Sequence, residues 1–210
     1  MKISLEWLQE YVNISESPEK LKEDLSMIGL LVESNTEVDG IPVLEIEVTS
    51  NRPDCLSYIG IAREVAALYR RTLKRPAIEE NLKAAAERIP YKIEIRDEDL
   101  CPRYVALVLD GIRVASSPPW MQRRLEASGM RPLNNIVDIT NYVLLEMGHP
   151  LHAFDFDQLR GGAIVVARAG QGEKMETLDG VQRELDDAML MINDGEGAVG
   201  IAGVMGGLNS

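Results

Sequence analysis

The strongest constraint on the fold is a series of short runs between Ala163 and Gly207, separated by turns rich in glycine and aspartate. The runs, in chain order, are AIVVARA, EKMETLDG, VQRELD, AMLMINDGEG and AVGIAGVMGG. Apolar runs of this length between turn residues are typical of strands, because glycine and aspartate allow the backbone to reverse its direction. The sequence therefore predicts a compact, mainly antiparallel sheet in this region.

The N-terminal segment is predicted to contain a short amphipathic helix, a second, capped helix and a strand pair. Ser17 is a suitable N-cap, and Pro18 fits the first helical turn, where its missing N–H is not needed. The apolar residues at helical spacing are Leu5, Leu8 and Val12, then Leu21, Leu25 and Ile28. The turn dipeptide Asp39-Gly40 joins the two predicted strands, because it tolerates positive φ. These elements predict a small helix-plus-hairpin unit.

Three more helices and two more strands are predicted between these regions. A helix follows NRPDC and ends in a basic cluster, Arg70, Arg71, Lys74 and Arg75. A solvated helix end is the favoured interpretation of this cluster, and RNA contact is the alternative. YKIEIRD and YVALVLDGI read as strands, and SSPPWMQRRLEASG and NNIVDITNYVLLEMG as helices. Ser117 is the expected cap of the first of these two helices, and Gly129 and Gly148 are their expected ends.

These elements predict an α+β protein with two domains. The segment between Pro76 and Pro90 is polar and rich in alanine and glutamate, which is typical of a boundary. The predicted domains are a helix/hairpin unit over residues 1–85 and a mixed, mainly antiparallel α+β domain over residues 86–210.

Composition limits the classes of function. The formal net charge is −12, so the chain is not a nucleic-acid binder of the kind that uses a basic surface, and any RNA contact must be local. Cys55 and Cys101 match no metal spacing and read as free thiols. No apolar stretch is long enough for a membrane span or a signal core, so we expect a cytoplasmic protein without a membrane partner.

Both histidines lie in one short segment and raise the question of a metal site. His149 and His152 are three residues apart, with Asp155 and Asp157 close behind. Pro150 prevents the pair from lying on a regular helix, and no cysteine or Glu–His pair is near. We therefore predict no metal site.

The sequence gives little support to nucleophilic catalysis or to a phosphate loop. Neither cysteine neighbours a histidine, no G-x-S-x-G motif occurs, and GIAGVMGG has no Lys-Ser/Thr after it. One constellation remains: Thr140 and Asn141 near the middle of a predicted helix, His152 behind it, and the glycine-rich strand. Such groups can hold a water and polarise a carbonyl. On composition alone, hydrogen-bonded structural groups are the favoured interpretation.

Four stretches of the chain resemble the beta subunit of bacterial phenylalanyl-tRNA synthetases. In chain order they are MKISLEWLQEYV, LEIEVTSNRPDCLSYIGIAREVAAL, NNIVDITNYVLLEMGHPLHAFD and GIAGVMGGLNS. Most bacterial members carry an OB-fold tRNA-binding domain between the two hairpin strands. Here Asp39-Gly40 joins those strands, so the insertion is absent near residues 39–41. The resemblance further implies that residues 86–210 are an editing domain truncated at Ser210, within an N-terminal fragment.

The resemblance implies hydrolysis of tyrosine that has been wrongly esterified to phenylalanine tRNA. It implies catalytic roles for Thr140, Asn141 and His152 around the ester and its attacking water, and substrate binding by the backbone of Gly203. A glutamate that binds the phenol in the family would follow Ser210. His149 is given no role. A pocket for phenylalanine rejects the added hydroxyl of tyrosine by only about a hundredfold if it is merely apolar, so a second, polar pocket is needed.

The implied partners are the 3′ end of phenylalanine tRNA and an alpha subunit, in a heterotetramer of two alpha and two beta subunits. No cofactor is expected in this chain, although ATP and Mg²⁺ are expected for the full synthetase. Two alternatives stay open: a non-catalytic scaffold that docks against the rest of the assembly, and a binder of the tRNA end.

Overall fold

The fold is given by a computed structural model, which describes residues 1–78 and 89–209. The α-helices are α1 Leu5–Leu8, α2 Pro18–Met27, α3 Tyr58–Tyr69, α4 Pro119–Ala127 and α5 Asn135–Met147. The strands are β1 Lys2–Ser4, β2 Val32–Val38, β3 Ile41–Ile46, β4 Lys92–Ile95, β5 Ala163–Arg168, β6 Lys174–Glu176, β7 Gln182–Glu184, β8 Leu190–Asn193, β9 Ala198–Ile201 and β10 Met205–Gly206. The predicted α+β class is confirmed.

The described residues form two compact units that are interleaved along the chain. The first unit contains residues 1–78 and 113–153, and the second contains residues 89–112 and 154–209. The domain boundary predicted at residues 85 and 86 lies outside the described residues. Residues 113–153, which carry α4 and α5, group with the N-terminal segment because Met121, Leu125 and Leu145 share its apolar core.

The first unit is a three-stranded antiparallel sheet with five helices. Its strand order is β1-β3-β2. The β2–β3 hairpin closes through Asp39 and Gly40, whose φ angles are +51° and +79°, and Val38 pairs with Ile41. The core includes Trp7, Leu8 and Tyr58, all without exposed surface. The predicted hairpin is confirmed, and two residues suffice to connect its strands.

The second unit is built on a five-stranded sheet in the order β10-β9-β8-β5-β4. Strands β4 and β5 run parallel, and the other neighbours are antiparallel. A separate hairpin joins β6 to β7. One core cluster of this unit contains Ala169, Met175, Leu185, Met191 and Ala198, and the strand residues Ile164, Val166 and Val199 are also buried. The predicted mixed, mainly antiparallel sheet is confirmed.

Helix α2 begins as predicted and ends one residue before the last position of its apolar pattern. The Ser17 hydroxyl accepts a hydrogen bond from the Lys20 amide. Ile28, predicted to be buried, is 39% exposed. It lies outside the helix as the C-cap, and the chain turns at Gly29, so that the Leu30 amide bonds back to the Leu25 carbonyl. Leu30 therefore fills the core position that the spacing gave to Ile28.

Two other predictions are wrong. Ser117 does not cap α4: Pro118 is the N-cap, and the Ser117 hydroxyl donates to Asp138 on α5. The segment 104–112 forms no strand, and Val105, Leu107 and Leu109 are 65–72% exposed. Alternation in sequence fits a strand, but a strand also needs a ladder partner, and within the described ranges no segment pairs with this one.

Two residues of the basic cluster after α3, Arg70 and Arg71, have structural roles in the first unit. Arg70 closes the helix with φ +52°. The Arg71 guanidinium donates two hydrogen bonds to the Glu16 carboxylate and another to the Asn13 carbonyl. The ion pair lowers the pKa of Glu16 to about 2. These contacts support the interpretation as a structural helix end for Arg71.

Candidate functional site

Helix α5 carries two of the proposed site residues, and both of its ends are well defined. The Asn134 side chain accepts hydrogen bonds from the Ile136 and Val137 amides at 3.0 and 3.1 Å. Gly148 ends the helix with φ +73°, and its amide bonds to the Leu144 carbonyl. These signals agree with the predicted extent of the helix, so Thr140 and Asn141 are confirmed near its middle.

Thr140 and Asn141 are both partly buried. The Thr140 hydroxyl donates to the Val137 carbonyl at 2.7 Å within its own helix. This bond engages the hydroxyl proton and leaves the oxygen able to accept a hydrogen bond. The neighbouring amide of Asn141 can both donate and accept, so the pair can hold a water or a hydroxyl from two sides.

His152 lies on the extended segment after α5, four residues past Gly148. The residue as a whole is exposed, yet protein around the imidazole desolvates it and lowers its pKa below the ordinary 6.5. Desolvation disfavours the charged imidazolium. The side chain is therefore neutral at pH 7 and can accept a proton. His149 is also exposed, on the same segment.

Gly203 belongs to the second compact unit, in the turn between β9 and β10. Its φ is +70°, and a Cβ added there would meet no atom within 4 Å. Gly203 is thus a turn glycine and not a point of close strand approach. That second role belongs to Gly207, where a Cβ would lie 2.8 Å from the Val199 carbonyl oxygen. The relationship of Gly203 to the three polar residues of the first unit stays a prediction.

A buried polar chain behind α5 escapes the sequence analysis. The Trp7 indole donates to the Tyr11 hydroxyl at 2.9 Å, and that hydroxyl donates to the Glu146 carboxylate. Burial is the main cause of a raised pKa at Tyr11, and its carboxylate partner adds to the effect. In the sequence, Glu146 looks like an ordinary surface residue of a helix, because no local pattern indicates its hydrogen bond with Tyr11, 135 residues away.

Helix α5 also packs against the core through aromatic rings. The Tyr142 ring stacks on Trp7 with 4.4 Å between centroids, and Trp120 meets Tyr142 edge-on at 5.6 Å. The Arg124 guanidinium donates to the Tyr142 hydroxyl at 2.6 Å and pairs with Glu10. The Arg124 guanidinium therefore has a structural role, because it links Tyr142 on α5 to Glu10.

One group of possible metal ligands occurs in the part of the chain that the structure describes. Asp54, Cys55 and Glu64 place their ligand atoms within 4.8 Å of one another. The Arg52 guanidinium lies among them, 2.9 Å from each carboxylate and 3.1 Å from the thiol. Burial, with the Asp54 carboxylate as the second cause, raises the pKa of Cys55 to about 11. Because the Arg52 guanidinium already pairs with both carboxylates and the thiol is protonated, these residues form an ion-pair cluster and not a metal centre.

The prediction of free thiols is confirmed. Cys55 and Cys101 are free thiols. Among the described residues, no helix has both the length and the apolar character required to cross a bilayer.

The fold and these residues define a class: an α+β protein with a helix-borne Thr-Asn pair followed by a histidine, and a second unit rich in turn glycines. The chain belongs to the B3/4 domain family, whose model matches residues 100–210. The match spans parts of both compact units.

Curated relatives support the same assignment. A phenylalanine–tRNA ligase beta subunit from Geobacter metallireducens is 54% identical over 170 residues, covering 80% of this chain and 21% of the relative. One from Rhodopirellula baltica is 42% identical over 210 residues, covering 100% of this chain and 31% of the relative. The resemblance predicted from the sequence is confirmed. The chain spans between about a fifth and a third of the length of these relatives.

A solved structure is also similar. It is an N-terminal fragment of the phenylalanyl-tRNA synthetase beta subunit from Pyrococcus horikoshii, with 17% identity and a TM-score of 0.46. The alignment covers 99% of this chain and 62% of that chain.

Proposed function

We propose that this chain is the editing part of a phenylalanine–tRNA ligase beta subunit and hydrolyses tyrosine esterified to phenylalanine tRNA. The observation that carries the proposal is the polar Thr140-Asn141 pair near the middle of α5, with His152 on the segment that follows this helix. Membership in the B3/4 family and the names of the relatives support it.

The chemistry needs a positioned water and no covalent intermediate. The water oxygen attacks the ester carbonyl carbon, while His152 orients the water and accepts its proton. The bond from the carbonyl carbon to the ribose oxygen then breaks, and the ribose oxygen takes up a proton. The products are free tyrosine and tRNA with a free terminal hydroxyl.

Thr140 and Asn141 have complementary roles in this reaction. Because the Thr140 proton is engaged by the Val137 carbonyl, its oxygen is an acceptor for the attacking water or a ribose hydroxyl. The Asn141 amide can donate to the carbonyl oxygen as negative charge develops on it.

Selection for tyrosine requires groups that bind its phenol. A site that hydrogen-bonds the phenol rejects phenylalanine by about 10⁴-fold or more, because phenylalanine leaves those polar groups without partners. We assign the backbone at Gly203 to the ring of the bound residue. No side chain obstructs that turn, since a Cβ there would meet nothing within 4 Å.

The wider assembly follows from the same proposal. The 3′ end of phenylalanine tRNA is the substrate, and an alpha subunit completes a heterotetramer with two copies of each subunit. ATP and Mg²⁺ serve the synthetic reaction of such a ligase. The Asp54, Cys55 and Glu64 cluster does not fit Mg²⁺, which prefers oxygen ligands, because it includes a thiol and surrounds Arg52.

A second candidate is a non-catalytic scaffold within the same subunit. The observation in its favour is the exposed apolar run of Val105, Leu107 and Leu109, since a soluble protein seldom leaves such a surface without a use in association. A scaffold would tolerate substitutions at His152 without any change in deacylation.

Single-turnover deacylation tests the choice. The chain, in excess over tyrosine-charged phenylalanine tRNA, should release tyrosine faster than buffer does. A second arm places the 210 residues in the corresponding region of the Rhodopirellula baltica beta subunit, assembled with its alpha subunit. Release at the buffer rate in both arms would favour the scaffold.

A further inference from the structure

Resting on the proposed function, we infer a further role in the first unit: the hydrogen bond between Tyr11 and Glu146 positions α5 and thereby aims its Thr-Asn pair. Tyr11 and Glu146 are positioning residues in this inference, because neither is assigned a contact with the ester or the water.

The buried polar chain reaches α5 from the N-terminal segment. Tyr11 follows α1 and is 3% exposed, and Trp7 has no exposed surface. The Tyr11 hydroxyl accepts from the Trp7 indole and donates to Glu146. Because the Tyr11 hydroxyl accepts one hydrogen bond from Trp7, the direction in which it donates its own proton is defined. The Glu146 carboxylate therefore has one preferred position relative to the core.

The face of α5 that makes these contacts is distinct from the face that carries Thr140. Tyr142 and Glu146 are one turn apart, and both contact the Trp7–Tyr11 group. Successive residues are about 100° apart around a helix, so Thr140 lies on the side away from that group. A rotation of the helix would move the Thr140 oxygen and the Asn141 amide together.

Apolar packing alone does not fix this rotation. Leu145 is buried in the core and Tyr142 stacks on Trp7, but such contacts tolerate sliding. The hydrogen bond to the Glu146 carboxylate is directional, since moving this carboxylate out of reach would leave the buried Tyr11 hydroxyl proton without its acceptor. The Tyr11–Glu146 bond is therefore a directional contact near the C-terminal end of α5, where it acts together with the Arg124–Tyr142 and Ser117–Asp138 bonds to select one rotation of the helix.

The C-terminal end of α5 is fixed in a second way. A Cβ at Gly148 would lie 3.3 Å from the Ser57 Cβ, so the helix end packs directly against the N-cap of α3. The His152 segment begins at this point. Glu146 and Gly148 together set where the helix ends and where the segment leaves it.

The chain offers a matched control for Tyr11. Tyr69 on α3 donates its hydroxyl to the Asp24 carboxylate on α2 at 2.9 Å, in the same compact unit. Tyr11→Phe and Tyr69→Phe each remove one tyrosine–carboxylate hydrogen bond, and only the first touches α5. Tyr11→Phe also removes the acceptor of the buried Trp7 indole, which the Glu146 variants leave in place.

The test measures single-turnover release of tyrosine at several protein concentrations for both variants. Tyr11→Phe should lower the maximal rate about 10- to 100-fold, since small misplacements of reacting groups have effects of this size. The half-saturating concentration should stay within about twofold, because the tRNA contacts are unchanged. Tyr69→Phe should change neither quantity.

A second pair separates position from charge. Glu146→Gln keeps an acceptor oxygen for Tyr11 and should retain most of the rate, while Glu146→Leu should behave like Tyr11→Phe. Equal rate losses in Tyr11→Phe and Tyr69→Phe, or a wild-type rate in Tyr11→Phe, would overturn the inference.

A structural measurement that does not depend on catalysis separates the proposed hydrolysis from the positioning role of Tyr11. Methyl and amide NMR signals of Thr140 and Asn141 should shift in Tyr11→Phe and stay in place in Tyr69→Phe. If the wild-type chain does not release tyrosine, the proposed function fails, and these signals still decide whether Tyr11 positions α5. Unshifted signals in Tyr11→Phe would contradict the positioning role whatever the activity.

Discussion

Ser117 donates its hydroxyl proton to the carboxylate of Asp138, which has no exposed surface and also accepts from the Leu133 amide at 2.8 Å. The bond ties the segment before α4 to the first turn of α5. A residue suited to be a helix cap thus serves a buried carboxylate on the helix that carries the site.

Ser117→Ala should therefore lower the free energy of unfolding by more than the loss of an exposed cap would. A buried carboxylate that loses a partner costs about 1–3 kcal/mol. Denaturant unfolding checks this, with Ser116→Ala as the control, because Ser116 is exposed. Equal midpoints for the two variants would show that the Asp138 bond contributes little.

His152→Ala should slow tyrosine release by about 10²- to 10⁴-fold while leaving thermal unfolding unchanged, since the residue is exposed and its role is to orient and deprotonate water. His149→Ala is the matched control, three residues away on the same exposed segment. We expect it to keep the wild-type rate. Equal rates for both variants would remove His152 from the mechanism.

The rate of tyrosine release should depend on pH through His152. Desolvation lowers its pKa below 6.5, so the neutral, active imidazole persists to more acidic pH than an ordinary histidine would allow. The rate should fall as pH falls through the lowered pKa, with a midpoint below 6.5. The folding free energy depends on pH in the same direction. Keeping His152 neutral favours the folded state fully above pH 6.5, the pKa in the unfolded chain, and this stabilisation is lost as pH falls through the lower pKa of the folded state. A midpoint above 6.5 in the pH–rate profile would contradict this assignment.

The sequence predicts those parts of the fold that local chemistry determines. The cap at Ser17, the helix end at Gly148 and the Asp39-Gly40 turn follow from a side-chain oxygen and from tolerance of positive φ. The strand predicted at 104–112 is wrong because pairing is a non-local property.

The site divides in the same way. Thr140 and Asn141 are readable as polar residues inside a helix, and their roles come from a resemblance and not from spacing. The role of Glu146 cannot be predicted from the sequence, because it depends on a hydrogen bond with Tyr11, which is 135 residues away. Ser117 has the right residue type for a cap, and a competing buried acceptor decides its position.

Gly203→Trp should abolish tyrosine release without unfolding the chain, because the added ring would enter the space assigned to the substrate. The backbone there has φ +70°, which costs a residue with a side chain about 1–2 kcal/mol, but a Cβ at this position would meet no atom within 4 Å. Gly180→Trp is the matched control, since Gly180 has φ +74° and open space around it. Circular dichroism and melting should show equal, modest destabilisation. Loss of fold in Gly203→Trp alone would count against the pocket assignment.

The last prediction concerns affinity for RNA. The net charge is −12, and two of the arginines that could hold phosphates are engaged, Arg71 by Glu16 and Arg124 by Glu10. The net negative charge opposes the approach of RNA, and a small number of phosphate contacts yields weak, salt-dependent binding. The chain alone should bind uncharged phenylalanine tRNA no more tightly than tens of micromolar at about 0.15 M salt, on the order of non-specific association.

Fluorescence titration at two salt concentrations measures this affinity and its salt slope, and Arg123→Gln should weaken binding more than Arg71→Gln, because Arg123 is exposed while Arg71 is held by Glu16. In an assembled ligase, other domains would hold the tRNA and deliver its 3′ end at high effective concentration. Submicromolar affinity for the chain alone would instead reveal a dedicated RNA surface on one of its two units.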